Sequence, residues 1–314
     1  MELTVIIPAF NAEKTLPDTL ASLRAQTLSA AWEVIAVDDG STDGTGGILA
    51  AAAADFPAPF QVITQENAGV GAARNRGLIA AEGDYVTWLD ADDLLLPDAL
   101  NTALTEALSR DADILMFDSE YLYPDGRVEP YPASPEPAGD LTARDYLYAE
   151  PAPWNKLIRR KIFVDEGLRF PEGIWYEDLA LIPALGAFAE KIWYCKKVLH
   201  RYNRAGESIT RGAWSAKRLD ILKALDCLIR LVPTQREDAE VLAFRHLYGT
   251  FAWQAWQAGD LDAIRAINAF VADKLPHWEK DPLIQLEPWK RRFTATLFYR
   301  EEFGLLRLWK GFGS

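Results

Sequence analysis

Tyr85-Val86-Thr87-Trp88-Leu89-Asp90-Ala91-Asp92-Asp93 passes abruptly from an apolar, β-branched and aromatic run to three carboxylates within four positions. The run Tyr85–Leu89 predicts a buried strand. Pro97, followed by Leu100, Leu104 and Leu108 at helical spacing, predicts a helix after it. The acids therefore fall at the carboxyl end of a strand, where open α/β sheets bind their ligands. Like charges so close repel unless a cation or hydrogen-bond donors balance them. Hard oxygens select Mg2+ or Mn2+, which take one or two carboxylates and complete their shells with substrate phosphates. Capping of the next helix by Asp92 or Asp93 is the competing reading. The Asp-x-Asp-Asp spacing at a strand end favours the metal.

The same alternation precedes this stretch. Leu3–Pro8 predicts a strand, and Leu16, Leu20 and Leu23 a helix. Val34–Val37 predicts a second strand that ends in Asp38-Asp39-Gly40-Ser41, followed by a helix at Ile48–Ala54. A strand at Gln61–Thr64 and a helix from Gly71 to Ala80 complete the series, and Asp113–Asp118 continues it downstream. Strands alternating with helices at this spacing predict βαβ units, hence an α/β fold with a Rossmann-like, mostly parallel central sheet. Right-handed crossovers then carry the loops after the strands to one edge, where Asn11, Asp39, Asn67 and Asp92 converge. Further on, Pro124-Asp125-Gly126 predicts a hairpin turn, and the prolines between Pro130 and Pro137 a surface connection. Tyr176-Glu177-Asp178-Leu179 opens a helix, and Ile192–Tyr202 is a further strand. From Ser215 only helices are expected, at Ile221–Leu231, Glu240–Gln257, Asp260–Lys274 and Glu301–Lys310.

Four blocks carry a resemblance: Pro8-Ala9-Phe10-Asn11, Asp38-Asp39-Gly40-Ser41-Thr42-Asp43, Gln65 through Gly77, and Asp90-Ala91-Asp92-Asp93. Gly69-x-Gly71-x-x-Arg74 alone is a poor dinucleotide fingerprint, because its third glycine is missing. In this order and spacing the four together resemble the nucleotide-sugar-binding half of the family 2 glycosyltransferases, which have the GT-A fold. Trp154-Asn155-Lys156-Leu157, Glu177-Asp178, His200-Arg201-Tyr202 and Ser208-Ile209-Thr210 are similar to the acceptor side of that family. The resemblance implies a catalytic domain at 1–210, with a donor half at 1–118 and an acceptor half at 119–210. A helical extension at 211–314 resembles no named family.

The resemblance also implies roles. Pro8, Phe10, Asn11, Asp39, Asn67, Arg74 and Asp90 would bind the donor nucleotide, with Asp39 taking the uracil imide N–H and Asp90 the ribose hydroxyls. Phe10 offers a face for a base to stack on, or is a core aromatic. Asp38 holds the turn at Gly40. Arg74 meets donor oxygens or forms a structural salt bridge. Asp92 would ligate the Mn2+ or Mg2+ that bridges the two phosphates, and Asp93 would cap the next helix. Asp178 would be the general base of a single inverting displacement, with Glu177 holding the acceptor or competing for that role. His200 is a candidate phosphate or metal contact, with a surface or capping position the competing expectation. The implied partners are a UDP-sugar donor and a saccharide or lipid-linked acceptor of surface polysaccharide, lipopolysaccharide or glycolipid synthesis.

Composition narrows the field. A net charge of −13 argues against a nucleic-acid partner, which needs a basic footprint. Cys195 and Cys227 give no disulfide framework and fit a reducing compartment. The chain opens on a strand without a signal segment, and no apolar run is long enough to span a bilayer. A cytoplasmic protein, either soluble or peripheral on the membrane's inner face, is the expectation. Segment 289–314 carries six basic and two acidic residues among seven aromatics, a net +4 on this acidic chain. That suits an amphipathic helix on an anionic leaflet; packing back onto the domain is the alternative. A nucleotidyltransferase would want a Gly-rich, basic loop after the first strand, which Pro8-Ala9-Phe10-Asn11 is not. A non-catalytic assembly protein would not need Asp39, Asp90, Asp92 and Asp178 intact.

Overall fold

The computed structural model describes residues 1–204 and 212–311; Ser208-Ile209-Thr210 and the last three residues lie outside the described residues. The chain divides into two compact units, Met1–Gly212 and Ala213–Ser314.

The first unit is built on one mixed, mostly parallel sheet. Its strands are β1 (Leu3–Ala9), β2 (Trp32–Asp38), β3 (Phe60–Thr64), β4 (Tyr85–Trp88), β5 (Leu94–Leu95), β6 (Ile114–Leu122), β7 (Val128–Tyr131), β8 (Gly139–Leu141), β9 (Lys156–Arg159) and β10 (Ile192–Asn203). They lie in the order β3-β2-β1-β4-β9-β6-β10-β5, with β7 on β6 and β8 on β10. Every residue of β1 is buried, as expected of a parallel strand covered on both faces. Leu3, Val5 and Ile7 join the core cluster of helices α1 (Leu16–Arg24) and α2 (Thr45–Asp55). Ile6 faces the opposite side, so close to Gly77 of α3 (Val70–Ala80) that a Cβ there would collide with it.

Pro8 sits inside this central strand for a definable reason. Ile6 O accepts from Leu89 N on the β4 side, whereas Ala9 O accepts from Asp39 N on the β2 side. The N–H that Pro8 lacks would therefore point toward β4, whose pairing with β1 ends at Ile6–Trp88. The ladder to β4 accordingly stops at this point.

Two features depart from the expected series. β9 runs antiparallel between β4 and β6, so the sheet is parallel in its first half and mixed in its second. The two-residue β5 pairs with β10 before helix α4 (Ala99–Arg110) begins. Pro130 lies within β7 rather than in a connection, on an outer strand where a missing N–H is tolerated. The turn at Pro124–Gly126 closes as Tyr123 and Arg127 pair, with Gly126 at φ +82°.

The remaining short helices of the first unit are α5 (Ala143–Leu147), α6 (Lys161–Asp165) and α7 (Glu177–Leu181). The second unit is helical: α8 (Asp220–Leu231), α9 (Arg236–His246), α10 (Ala252–Ala258), α11 (Leu261–Lys274), α12 (Trp289–Tyr299) and α13 (Phe303–Gly311), with a π turn at Leu247–Phe251 joining α9 to α10. Phe244, Tyr248 and Trp278 pack ring on ring, and Phe298 meets Trp253 edge-on at 5.2 Å. The basic tail is two helices rather than one, broken at Glu301, whose φ is +56°.

Candidate active site

The ends of β1, β2 and β4 and the start of α3 are tied together by side chains. Asp38 Oδ1 accepts from Ser41 N at 2.9 Å, the turn-holding role expected of it. Gly40 has φ +73°, and a Cβ there would stand 2.8 Å from Asn67 N, so glycine is required on two counts. Asn11, itself at φ +48°, accepts from Thr42 N at 2.8 Å and so locks the first loop to the second. Asn67 donates to Asp39 O at 3.0 Å. The buried Asp39 carboxylate accepts from Gln65 Nε2 (2.7 Å), Ala68 N (2.9 Å) and Gly69 N (2.8 Å). A carboxylate offers about four lone-pair directions, so Oδ2 keeps room for one further donor. Phe10 stands beside these loops 51% exposed; it is not a core aromatic. Pro8 is buried in β1.

Arg74 lies on α3, 4% exposed, between two acids from distant parts of the chain. It donates through Nη2 to Asp90 Oδ1 at 3.1 Å and through Nη1 to Glu177 Oε1 at 2.5 Å. Burial opposes its charge, but Asp90, Glu177 and Asp178 together hold the guanidinium above its ordinary range. Of the two roles open to Arg74, the geometry is that of a salt bridge linking the strand-end acid to the acidic pair.

Asp92 is half-buried, and burial first, then the charges of Asp93 and Asp90, push its carboxyl up to about 7. A carboxylate so raised lacks balancing charge, which a divalent cation would supply. Among the described residues no group of three or more His, Cys, Asp or Glu side chains is gathered to hold a metal. An ion held here would take one or two carboxylates from the strand end and the rest of its ligands from a diphosphate and water.

Asp93 does not cap a helix. Helix α4 starts at Ala99, with Asp98 at its cap. Asp93, 1% exposed, accepts from Asn203 N at 2.9 Å and places Oδ2 3.3 Å from His200 Nε2. His200 is neither a surface nor a capping residue: it is fully buried, stacks on Trp154 at 4.4 Å and contacts Ser119 Oγ. Burial drives Asp93 up and His200 down to about 3, so both directions favour an uncharged pair. With no exposed surface, His200 meets Asp93, Ser119 and Trp154 inside the protein and presents no ring nitrogen to solvent for a phosphate or metal.

The acidic pair is presented by strained backbone. Tyr176, immediately before it, has φ +66°, and Gly173 has φ +72°; for a tyrosine this conformation costs about 1–3 kcal/mol. The loop is pinned to α3 at two points. Asn75 Nδ2 donates to Phe170 O (2.8 Å) and Glu172 Oε1 (2.9 Å), while Phe170 N donates to Asn75 Oδ1 (2.9 Å). A Cβ on Gly71 would lie 2.5 Å from Pro171 O. Glu177 is thereby delivered to Arg74, and its Oε1 is occupied. Asp178 Oδ1 accepts from Leu179 N at 2.7 Å. Burial raises both acids of this interacting pair, while Arg74 pulls back in each case.

Lys156, fully buried at the start of β9, donates to Glu150 O, Ala152 O and Asn155 Oδ1 at 2.6–2.7 Å. Burial lowers it to about 7, against attraction from Glu150 and Asp178. Asn75 and Lys156 are the two site-shaping residues that sequence analysis quoted without assigning a role. Asn75 carried little local signal, since it stands between Arg74 and Arg76 in the helix. Lys156 opens a strand that reads Lys-Leu-Ile-Arg, cationic at both ends, so its burial was not announced either.

A sequence model of glycosyl transferase family 2 matches residues 4–167. The uncharacterized glycosyltransferase YibD of Escherichia coli K12 is 30% identical over 221 residues, which is 67% of this chain and 63% of that protein. Glycosyltransferase GlyA of Streptococcus pneumoniae is 31% identical over 239 residues, 70% of this chain and 33% of its own length. The chain thus spans less than two thirds of either relative. Residues 1–349 of S. aureus TarS, solved in complex with UDP-GlcNAc, superimpose with a TM-score of 0.72 at 23% identity, covering 96% of this chain and 90% of that one. The mannosyltransferase PcManGT of Pyrobaculum calidifontis, solved with GDP-Man and Mn2+, gives 0.58 at 18% identity, covering 95% and 86%. At such identities the likeness establishes the fold, the GT-A arrangement of sheet and helices. With the family model spanning more than half of its length, this chain belongs to glycosyl transferase family 2.

Proposed function

We propose that the protein transfers a sugar from a UDP-activated donor to a hydroxyl of a saccharide or lipid-linked acceptor, by one inverting displacement with Asp178 as general base. The observation that carries this is the division of labour within the acidic pair. Glu177 is committed to Arg74 at 2.5 Å, whereas the hydrogen bond of Asp178 to Leu179 N uses Oδ1 and leaves Oδ2 for an acceptor hydroxyl. Burial raises Asp178 and so makes it a better proton acceptor once ionised, while Arg74 keeps the ionised form accessible.

On the donor side, Asp39 Oδ2 accepts the imide N–H of the base, Phe10 lies against its ring, and Asp90 takes ribose hydroxyls. Asn11 and Asn67 hold the loops that carry these groups. Asp92 would hold Mn2+ or Mg2+, which when bound neutralises charge developing on the leaving diphosphate. Asp90, fixed by Arg74, keeps the donor edge and the base edge at a set separation. The UDP-GlcNAc complex of TarS supports a uridine donor. Relatives named for cholesterol galactosylation in Borreliella burgdorferi and teichuronic acid synthesis in Bacillus subtilis support an acceptor in cell-surface glycolipid or polysaccharide synthesis.

Calorimetry with UDP and GDP, each with and without Mn2+, tests the donor side. UDP binding that needs Mn2+ and is lost in Asp92→Ala, with cooperative unfolding retained, is expected. Unchanged UDP affinity in that variant removes Asp92 as the metal ligand, and preference for GDP removes the uridine assignment.

A further inference from the structure

The basic tail resolves into an inner and an outer face. Ala295, Leu297, Phe298 and Leu306 are buried in the helical unit, with Phe298 against Trp253. The outer face keeps large apolar groups in water: Leu286 is 81% exposed, Trp289 58%, Leu305 47% and Leu308 64%. Phe293 belongs with them, and Trp309 joins the two helices by edge-to-face contacts with Trp289 (5.6 Å) and Phe293 (5.0 Å). Single exposed apolar residues need no explanation, but a contiguous set across two helices marks an interaction surface.

The charges around the patch say what covers it. Arg291 and Arg245 both pair with the buried Glu287, and Arg300 lies 3.6 Å from Glu279. Lys290 and Arg307 are exposed beside Trp289 and Leu308, and among the described residues neither has an ion pair. A second copy docking on this face would bring a cationic, apolar surface against itself. An anionic lipid surface matches both properties, contributing about 1 kcal/mol for each Lys or Arg near it and burying Trp and Leu at the headgroup boundary. Helices of 11 and 9 residues are too short to span a hydrocarbon core of about 30 Å, and no described helix is long and apolar enough to cross a membrane.

We infer that the α12–α13 hairpin is a peripheral docking site for an anionic leaflet, with Trp289, Phe293, Leu305 and Leu308 entering the headgroup boundary and Lys290 and Arg307 meeting lipid phosphates. The hairpin lies on the bilayer and does not cross it. This surface is independent of the donor and base assignments.

The test is flotation of the full chain with vesicles of phosphatidylcholine, with and without phosphatidylglycerol. Binding is expected only with the anionic lipid and is expected to fall as salt rises. Lys290→Glu with Arg307→Glu should lower partitioning by more than about tenfold, since each reversal removes an attraction of about 1 kcal/mol and adds a repulsion. Trp289→Ser with Leu308→Ser, both at exposed positions, should lower it similarly while UDP affinity stays unchanged and unfolding stays cooperative. Absence of flotation, or flotation that neither double variant alters, overturns the inference. A dimer in analytical ultracentrifugation that Trp289→Ser with Leu308→Ser dissociates would assign the face to a second copy instead.

Discussion

The strand-end edge of the first unit and the outer face of the second treat water in opposite ways. At the edge, charge is taken out of water: Asp39, Arg74, Lys156 and Glu177 are all buried, and each is matched by hydrogen bonds or an opposite charge. On the α12–α13 hairpin, apolar surface is left in water, and the charges beside it are exposed. Burying an ion costs several kcal/mol unless partners repay it, and a large exposed apolar patch gains nothing from solvent. Each region is thus a departure from what stability alone favours, and each is where a ligand is proposed: a nucleotide-sugar donor in one case, an anionic lipid surface in the other.

Breaking the charge network should have the largest consequence. Arg74→Met leaves Glu177, Asp178 and Asp90 without their shared cation, and removing one partner from such a buried set costs about 3–5 kcal/mol. Chemical denaturation at pH 8 should register that loss. The sign of its pH dependence follows from the direction of the shifts. Acids whose folded values are raised above their unfolded ones destabilise the native state once the unfolded chain ionises. The variant should therefore recover stability, relative to the unchanged protein, as pH falls from 8 toward 5. A variant with the same pH dependence as the unchanged protein would show that Arg74 does not balance the pair.

Asn75→Ala should come next. It leaves Phe170 N and O without their partner inside the protein, a cost of about 2–3 kcal/mol, and frees the loop that carries Glu177 and Asp178. Urea unfolding should report the loss of stability. Turnover should fall more than UDP affinity does, since the loop serves the base rather than the nucleotide. Equal losses in both would place Asn75 in general support of the fold.

A smaller effect is expected in the helical unit, where burial first and Arg245 second lower His246 to about 4. A base depressed on folding contributes stability above its unfolded value and loses it as pH falls. The loss should develop between about 6.5 and 4 and amount to roughly 1–2 kcal/mol, because His246 keeps partial exposure. The difference between the unchanged protein and His246→Gln, followed by denaturation across that range, isolates this contribution. A pH-independent difference would mean that His246 is solvated in the folded state.

The two regions also differed in how much of them the chain disclosed. The parallel strands and their helices follow from local periodicity, and the loop ties of Asn11 to Thr42 and of Asn67 to Asp39 follow from topology. What stayed hidden depends on partners far along the chain. Arg74 and Glu177 are 103 positions apart, and Asp93 and Asn203 are 110 apart. No local pattern distinguishes a helix-capping Asp93 from one that faces a buried histidine. The reversed β9 is only four residues long, too short for its direction to leave a signature. The tail was legible as aromatic and basic, but its division into buried Phe298 and exposed Trp289 depends on the break at Glu301, which no glycine or proline announces.

Which acid of the pair takes the proton decides the proposed mechanism. Asp178→Asn is close to isosteric and keeps Oδ1 for Leu179 N, so the fold and UDP affinity should be preserved. Steady-state turnover of a UDP-sugar should fall by about 10²–10⁴-fold, the usual worth of a positioned base. Glu177→Gln, measured alongside, should chiefly loosen Arg74, lowering stability and cutting turnover less. Near-normal turnover in Asp178→Asn together with collapse in Glu177→Gln would make Glu177 the base and contradict the assignment.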